Sequence, residues 1–159
     1  MDDEAREGGR ARSPRIRVLS LAVVRRGGDL LVVRGFDDVK DSDFFRPPGG
    51  GVEFGETAAE ALEREMMEEL DAKVSIVRLL GVNENLFTHL GRPGHEIVFL
   101  FETEFIDRSL YNRNELPLHE EGWAETVATW KPLGMFAGSG PRLVPEALFG
   151  VLSGTGSGP

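Results

Sequence analysis

Three glutamates, Glu65, Glu68 and Glu69, stand at positions i, i+3 and i+4. On a helix this spacing places three carboxylates within an arc of roughly 100°. Like charges so placed repel one another, and near a helix C-terminus the macrodipole opposes them as well. A divalent cation removes the conflict, and an all-oxygen set suits Mg²⁺ or Mn²⁺ better than Zn²⁺. Taken alone, the three residues are more often a solvated helix face. Their surroundings are less ordinary. Pro47-Pro48-Gly49-Gly50-Gly51 precedes them, followed by Glu53 and Glu56, and Arg64 adjoins Glu65. Glycines there form a tight turn or let backbone approach a phosphate group.

The carboxylates need a helix to carry them. Thr57-Ala58-Ala59-Glu60 has the spacing of a capping box, and Ala59, Leu62, Met66 and Leu70 form an apolar stripe, predicting a helix over Ala58–Leu70. Ile16–Val24 is an apolar, β-branched run that predicts a buried strand. Leu30–Val33 returns after Arg25-Arg26-Gly27-Gly28-Asp29 as the second arm of a hairpin. Val74–Gly81 and Ile97–Phe105 read as strands, with a turn at Gly91-Arg92-Pro93-Gly94. Val127–Trp130 is another short strand, and Arg142–Leu152 a closing helix. Residues 1–14 and 153–159 read as flexible tails around one domain over 15–152.

Composition narrows the function. The chain has 159 residues, 40% of them hydrophobic, which suits one core. Cysteine is absent, so disulfides and thiolate chemistry are excluded. No apolar run approaches a membrane span, and the charged N-terminus is unlike a secretory signal, so the expected compartment is the cytoplasm. The net charge of −9 argues against an extended nucleic-acid surface. That charge is concentrated: Glu53–Asp71 holds eight acidic residues against one base, Arg64, a local net of −7.

Counted from Gly50, Glu56 comes six positions on, Arg64 and Glu65 at fourteen and fifteen, and Glu68 and Glu69 at eighteen and nineteen. The run GGVEFGETAAEALEREMMEELDA (Gly50–Ala72) resembles the box of the Nudix (MutT-like) hydrolase superfamily, G-x5-E-x7-R-E-U-x-E-E-x-G-U, where U is a bulky aliphatic. Asp71 stands in place of the box glycine and Ala72 in place of its last aliphatic residue. Phe45 replaces a tryptophan common in the lead-in. Asp enters the left-handed region more readily than most residues, so Asp71 can still end the helix.

The resemblance implies an α/β fold, the Nudix α/β/α sandwich with a mixed β-sheet. It also implies Mg²⁺- or Mn²⁺-dependent hydrolysis of a phosphoanhydride in a nucleoside diphosphate linked to another group. Metal ligands would be Glu65, Glu68, Glu69 and the carbonyl of Gly49. Gly50, Glu53, Glu56 and Arg64 would support them, with Arg64 paired to Glu56. The general base would be Glu125 or Glu121, in the loop ahead of Trp130, with Glu69 as the alternative within the box. The alternative is a non-catalytic Nudix-fold module that binds a nucleotide to regulate a partner. The chain would act on a small molecule as a monomer or homodimer.

Substrate contacts are read from position alone. Arg34 and Arg46 lie where they could meet phosphates. Asn83, Glu84, Asn85, Phe87 and His89 could contact a base or sugar, as could His95 and Glu96. A strand histidine, though, is more often structural. Trp123 and Trp130 read as core or rim.

Overall fold

The computed structural model describes residues 14–120 and 126–154. Its strands are β1 (Arg17–Val23), β2 (Arg25–Arg26), β3 (Asp29–Asp37), β4 (Ser42–Arg46), β5 (Gly49–Gly51), β6 (Val74–His89), β7 (Arg92–Phe105), β8 (Glu115–Pro117), β9 (Val127–Pro132) and β10 (Arg142–Leu143). The helices are α1 (Ala58–Leu70) and α2 (Ala147–Ser153), with single turns of 3-10 helix at Arg108–Asn112 and Leu133–Phe136. One sheet has the order β5-β1-β7-β6 and the other β10-β4-β3-β9-β8, with β2 added against β3. Both are mixed: β1–β7 and β10–β4 run parallel and the other pairs antiparallel.

Two apolar clusters each draw on both sheets. Leu62, Met66 and Leu70 of α1 close one, over Ala22, Leu31, Val33, Phe101, Phe105 and Trp130. Leu148 of α2 enters the other, with Leu19, Leu21, Val32, Phe45, Val98 and Leu100. Helices on both sides of mixed sheets make the expected α/β sandwich. Among the described residues no helix is long and apolar enough to cross a membrane.

α1 begins and ends where its sequence dictates. Thr57 Oγ1 accepts the Glu60 amide at 3.1 Å, and Glu60 Oε2 accepts the Thr57 amide at 2.9 Å. At the other end Asp71 takes φ 51° and ψ 41°, with its amide bonded to the carbonyl of Met67 at 3.1 Å. Asp71→Gly is expected to raise stability by about 0.5–1 kcal/mol, because it relieves the left-handed strain and removes an anion from the helix C-terminus. Thermal melting checks this.

Several local expectations are corrected. β1 and β3 do not form a hairpin: β1 enters one sheet, and beyond it the Val24 carbonyl accepts the Leu31 amide at 3.0 Å and Arg25-Arg26 fold back onto Asp29-Leu30 of β3. β6 and β7 are one long hairpin, with bulges between Ile76/Arg78 and Leu79/Gly81 and a turn at Leu90-Gly91. Arg92-Pro93-Gly94 therefore belong to a strand. The closing helix is shorter, since Arg142-Leu143 pair with Phe44-Phe45 ahead of it.

Candidate active site

β5 is three glycines paired with Leu19–Leu21 of β1. Beside it, Ser20 Oγ donates to the Ala58 carbonyl at 2.8 Å and fixes the start of α1 against the same strand. At two of the three glycines the composition has a steric cause. A Cβ on Gly49, at φ +140°, would lie 2.1 Å from the Ser20 carbonyl oxygen. A Cβ on Gly50 would lie 2.4 Å from Cδ of Glu65, so the Glu65 carboxylate rests directly on the Gly50 backbone. Gly50→Ala should leave melting nearly unchanged, because a flexible side-chain end can move aside. Turnover should fall by about a hundredfold as that carboxylate is displaced, which steady-state kinetics would measure.

Arg64 ties these parts together. Its Nε and Nη2 donate to the two oxygens of Glu56 at 3.1 and 2.6 Å, and Nη2 also reaches the Gly51 carbonyl at 2.9 Å. Nη1 bonds Glu65 at 3.0 Å and Glu68 at 3.2 Å, with Glu53 further off at 3.9 Å. Glu56 in turn accepts the Glu53 amide at 2.8 Å. One planar, five-donor cation thus braces the loop, the glycine strand and two helix carboxylates. The Arg64 hydrogen bonds, with that of the Glu53 amide, hold the Glu56 carboxyl below its usual range, and the same bonds raise the Arg64 guanidinium.

Glu69, one turn on from Glu65, is only 5% exposed. Burial first, then the charges of Glu120 and Glu65 and hydrogen bonds with both, push its carboxyl up to about 9. Glu120 arrives through the backbone, because the neighbouring His119 amide bonds the Glu69 carbonyl at 2.8 Å. Arg46 stands nearby, donating from Nη2 to the Gly49 carbonyl at 3.3 Å. Burial lowers its basicity while Glu120, Glu69 and Glu96 oppose that change.

Among the described residues no three carboxylates or imidazoles stand together as a ready metal cage. Arg64 engages Glu65 and Glu68, and Arg46 engages the Gly49 carbonyl. The donor chemistry nevertheless fits a hard divalent cation. Glu65, Glu69 and Glu120 are crowded enough for Glu69 to hold its proton far above the ordinary range, and a cation can take the place of that proton.

A cavity of about 590 Å³ opens from this cluster. Gly50, Glu65, Arg46 and Glu120 line one end, and Asn85, Phe87 and Glu96 lie further along its wall. Asn85 pairs with Glu96 and Phe87 with Gly94 across the β6–β7 hairpin, so Asn85, Phe87 and Glu96 share a face. His95 projects from the other face of β7 and bonds Glu84 at 3.1 Å. Arg34 pairs with Asp43 at 2.8 Å, so neither Arg34 nor His95 is brought to the cavity. Trp130 is buried and donates Nε1 to the Arg113 carbonyl at 2.9 Å. Glu121, Trp123 and Glu125 lie outside the described residues. His89, read from sequence as a possible contact, does line the cavity, whereas the sequence reading missed Glu120, the first acid of that loop, and also Phe44 and Lys40.

Comparison with known proteins bears on the family and the fold. A family model described as NUDIX domain matches residues 14–136. The MutT protein from Methanosarcina mazei Go1 superposes with TM-score 0.61 at 17% identity, over 89% of this chain and 93% of that one. A MutT NUDIX hydrolase from Burkholderia pseudomallei gives 0.55 at 23% identity, over 85% and 95%. A UDP-X diphosphatase gives 0.56 at 19% identity, over 90% of this chain and 66% of that one.

Proposed function

The chain belongs to the Nudix family of pyrophosphohydrolases, and from that premise we propose that it hydrolyses a phosphoanhydride in a nucleoside diphosphate linked to another group, using Mg²⁺ or Mn²⁺. The observation that supports this reading most is the Arg64 brace, which holds Glu65 against Gly50 at one end of a cavity large enough for a nucleotide.

Glu65, Glu68, Glu69 and the Gly49 carbonyl are the residues that would hold the cation. When bound, it would neutralise diphosphate oxygens and acidify a water. The protein supplies the rest. Arg64 fixes the direction of Glu65 and Glu68, and Gly50 and Gly51 let the diphosphate approach the backbone. Arg46 offers a guanidinium to phosphate oxygens. Glu69 accepts the proton of the attacking water, with Glu121 and Glu125 as the competing bases from the following loop. Asn85, Phe87 and Glu96 contact the organic part of the substrate.

The test is a Mg²⁺ and Mn²⁺ screen of deoxynucleoside triphosphates, dinucleoside polyphosphates, ADP-ribose and UDP conjugates in ¹⁸O-water. A nucleoside monophosphate or diphosphate product whose label locates the attacked phosphorus is the expected result. Tight nucleotide binding with no metal-dependent product would instead identify a regulatory binding module.

A further inference from the structure

At the end of the cavity away from the carboxylates stand Phe36, Lys40, Phe44, Phe87, Thr88 and His89. Apart from Lys40, these residues lie on strands that run into two turns: residues 38–41 between β3 and β4, and Leu90-Gly91 between β6 and β7. Both turns meet at Asp37, the last residue of β3, whose side chain is fully buried and lines no part of the cavity. Its Oδ1 accepts the amides of Val39 and Lys40, each at 3.0 Å. Its Oδ2 accepts the Leu90 amide at 3.2 Å and lies 3.4 Å from Nδ1 of His89.

Each partner is informative. Leu90 sits at φ 50°, a conformation a bulky residue resists, and the bond from Asp37 helps hold it there. Lys40 crosses between the same turns, donating Nζ to the Thr88 carbonyl. The His89 ring meets Phe44 edge-to-face, with centroids 5.4 Å apart. Phe44 lies over Gly35 and Phe87 over Gly94. In each case a Cβ on the glycine would come 2.2 Å from the ring's Cζ, so the rings rest against backbone. Burial opposes ionisation of Asp37, yet the three amides and His89 keep its carboxyl below its usual range. A buried anion with this many partners is an expensive way to close a surface turn, unless the positions of those partners matter.

We infer that Asp37 is a positioning residue for substrate recognition: by joining the two turns and orienting His89, it fixes the aromatic wall that receives the base of a nucleoside diphosphate. The inference rests on the proposed reading, in which the diphosphate occupies the Glu65–Gly50 end. The base then meets flat rings and the polar edge of His89, several ångströms from any group that acts on phosphorus.

The experiment compares two kinds of probe in the presence of Mn²⁺ by calorimetry. Methylenediphosphonate occupies the diphosphate end alone, whereas the α,β-methylene analogues of ADP and GDP reach both ends. Wild-type protein should bind at least one nucleoside analogue more tightly than methylenediphosphonate. Asp37→Asn and His89→Ala should each reduce that preference by about tenfold while leaving methylenediphosphonate affinity unchanged. If Asp37→Asn is unfolded at the assay temperature, Leu90→Gly is added to relieve the strained turn, and the same selective loss is expected. Equal loss of both probes, or no loss of either, would overturn the inference. Wild-type protein that binds methylenediphosphonate but gains nothing from the nucleoside overturns it too, leaving the proposed reaction standing. Failure to bind either probe with metal would overturn the proposed reaction and the inference together.

Discussion

Glu69→Gln is expected to lower kcat/KM by roughly a thousandfold, about 4 kcal/mol of transition-state stabilisation, because under the proposed function it removes a metal ligand and the first-choice base together. The variant should not be less stable. In metal-free protein the Glu69 carboxyl is pushed from 4.5 up to about 9, so the folded chain binds a proton that the unfolded chain has released. A raised carboxyl gives stability that is present below about 4.5 and declines as pH rises toward 9. Gln carries no such dependence, so melting in EDTA should show the variant equal to or above wild type at pH 7 to 8. Near-normal turnover with saturating Mg²⁺ would remove Glu69 from the site. A collapse in melting temperature would show that it acts through the fold.

Arg64→Lys is the second large effect. Lysine keeps the charge but is a point donor, unable to bond both Glu56 oxygens while also reaching Gly51, Glu65 and Glu68. Loss of such an outer support lowers activity by about 10–100-fold. The fall should be in kcat, with KM for the nucleotide nearly constant, because the aromatic end of the cavity is untouched. Melting temperature should drop by several degrees. The pH dependence distinguishes the cause. Arg64 holds the Glu56 carboxyl below its unfolded value of 4.5, so this stabilisation is complete above that pH and is lost as pH falls through the folded value. The melting gap between wild type and variant should therefore close in acid.

What could be read from sequence was what local chemistry decides. The bounds of α1, its capping box and the left-handed Asp71 depend on residues within a few positions of one another, and all three stand as expected. The Arg64–Glu56 pair was reached through the resemblance to a known motif. Glycine misled the strand assignment. Gly81 and Gly94 read as breaks, but Gly81 sits at a bulge and Gly94 under the Phe87 ring, both within the long hairpin. The break after β1 that sends β1 and β3 into different sheets has no local signature. Glu120 meets Glu69 through a backbone bond between residues far apart in sequence, and Asp37 reaches the Leu90 amide 53 positions away. Pairings of that kind are set by topology, and no window of sequence contains them.

The pairing of the triglycine strand β5 with β1 also bears on solubility. β5 is the outermost strand of its sheet, and behind it lies Arg17–Val23, the most apolar and thoroughly buried strand edge among those described. A short edge strand introduced by two prolines is a poor template for another chain, whereas an uncovered VLSLAV would be a good one. The same three glycines therefore shield β1 and, in the proposed function, present the backbone to a diphosphate. Substitutions that pry β5 loose, Gly49→Ala foremost, are expected to cause aggregation as well as inactivity, so the region can accept little change even where no reacting atom is touched.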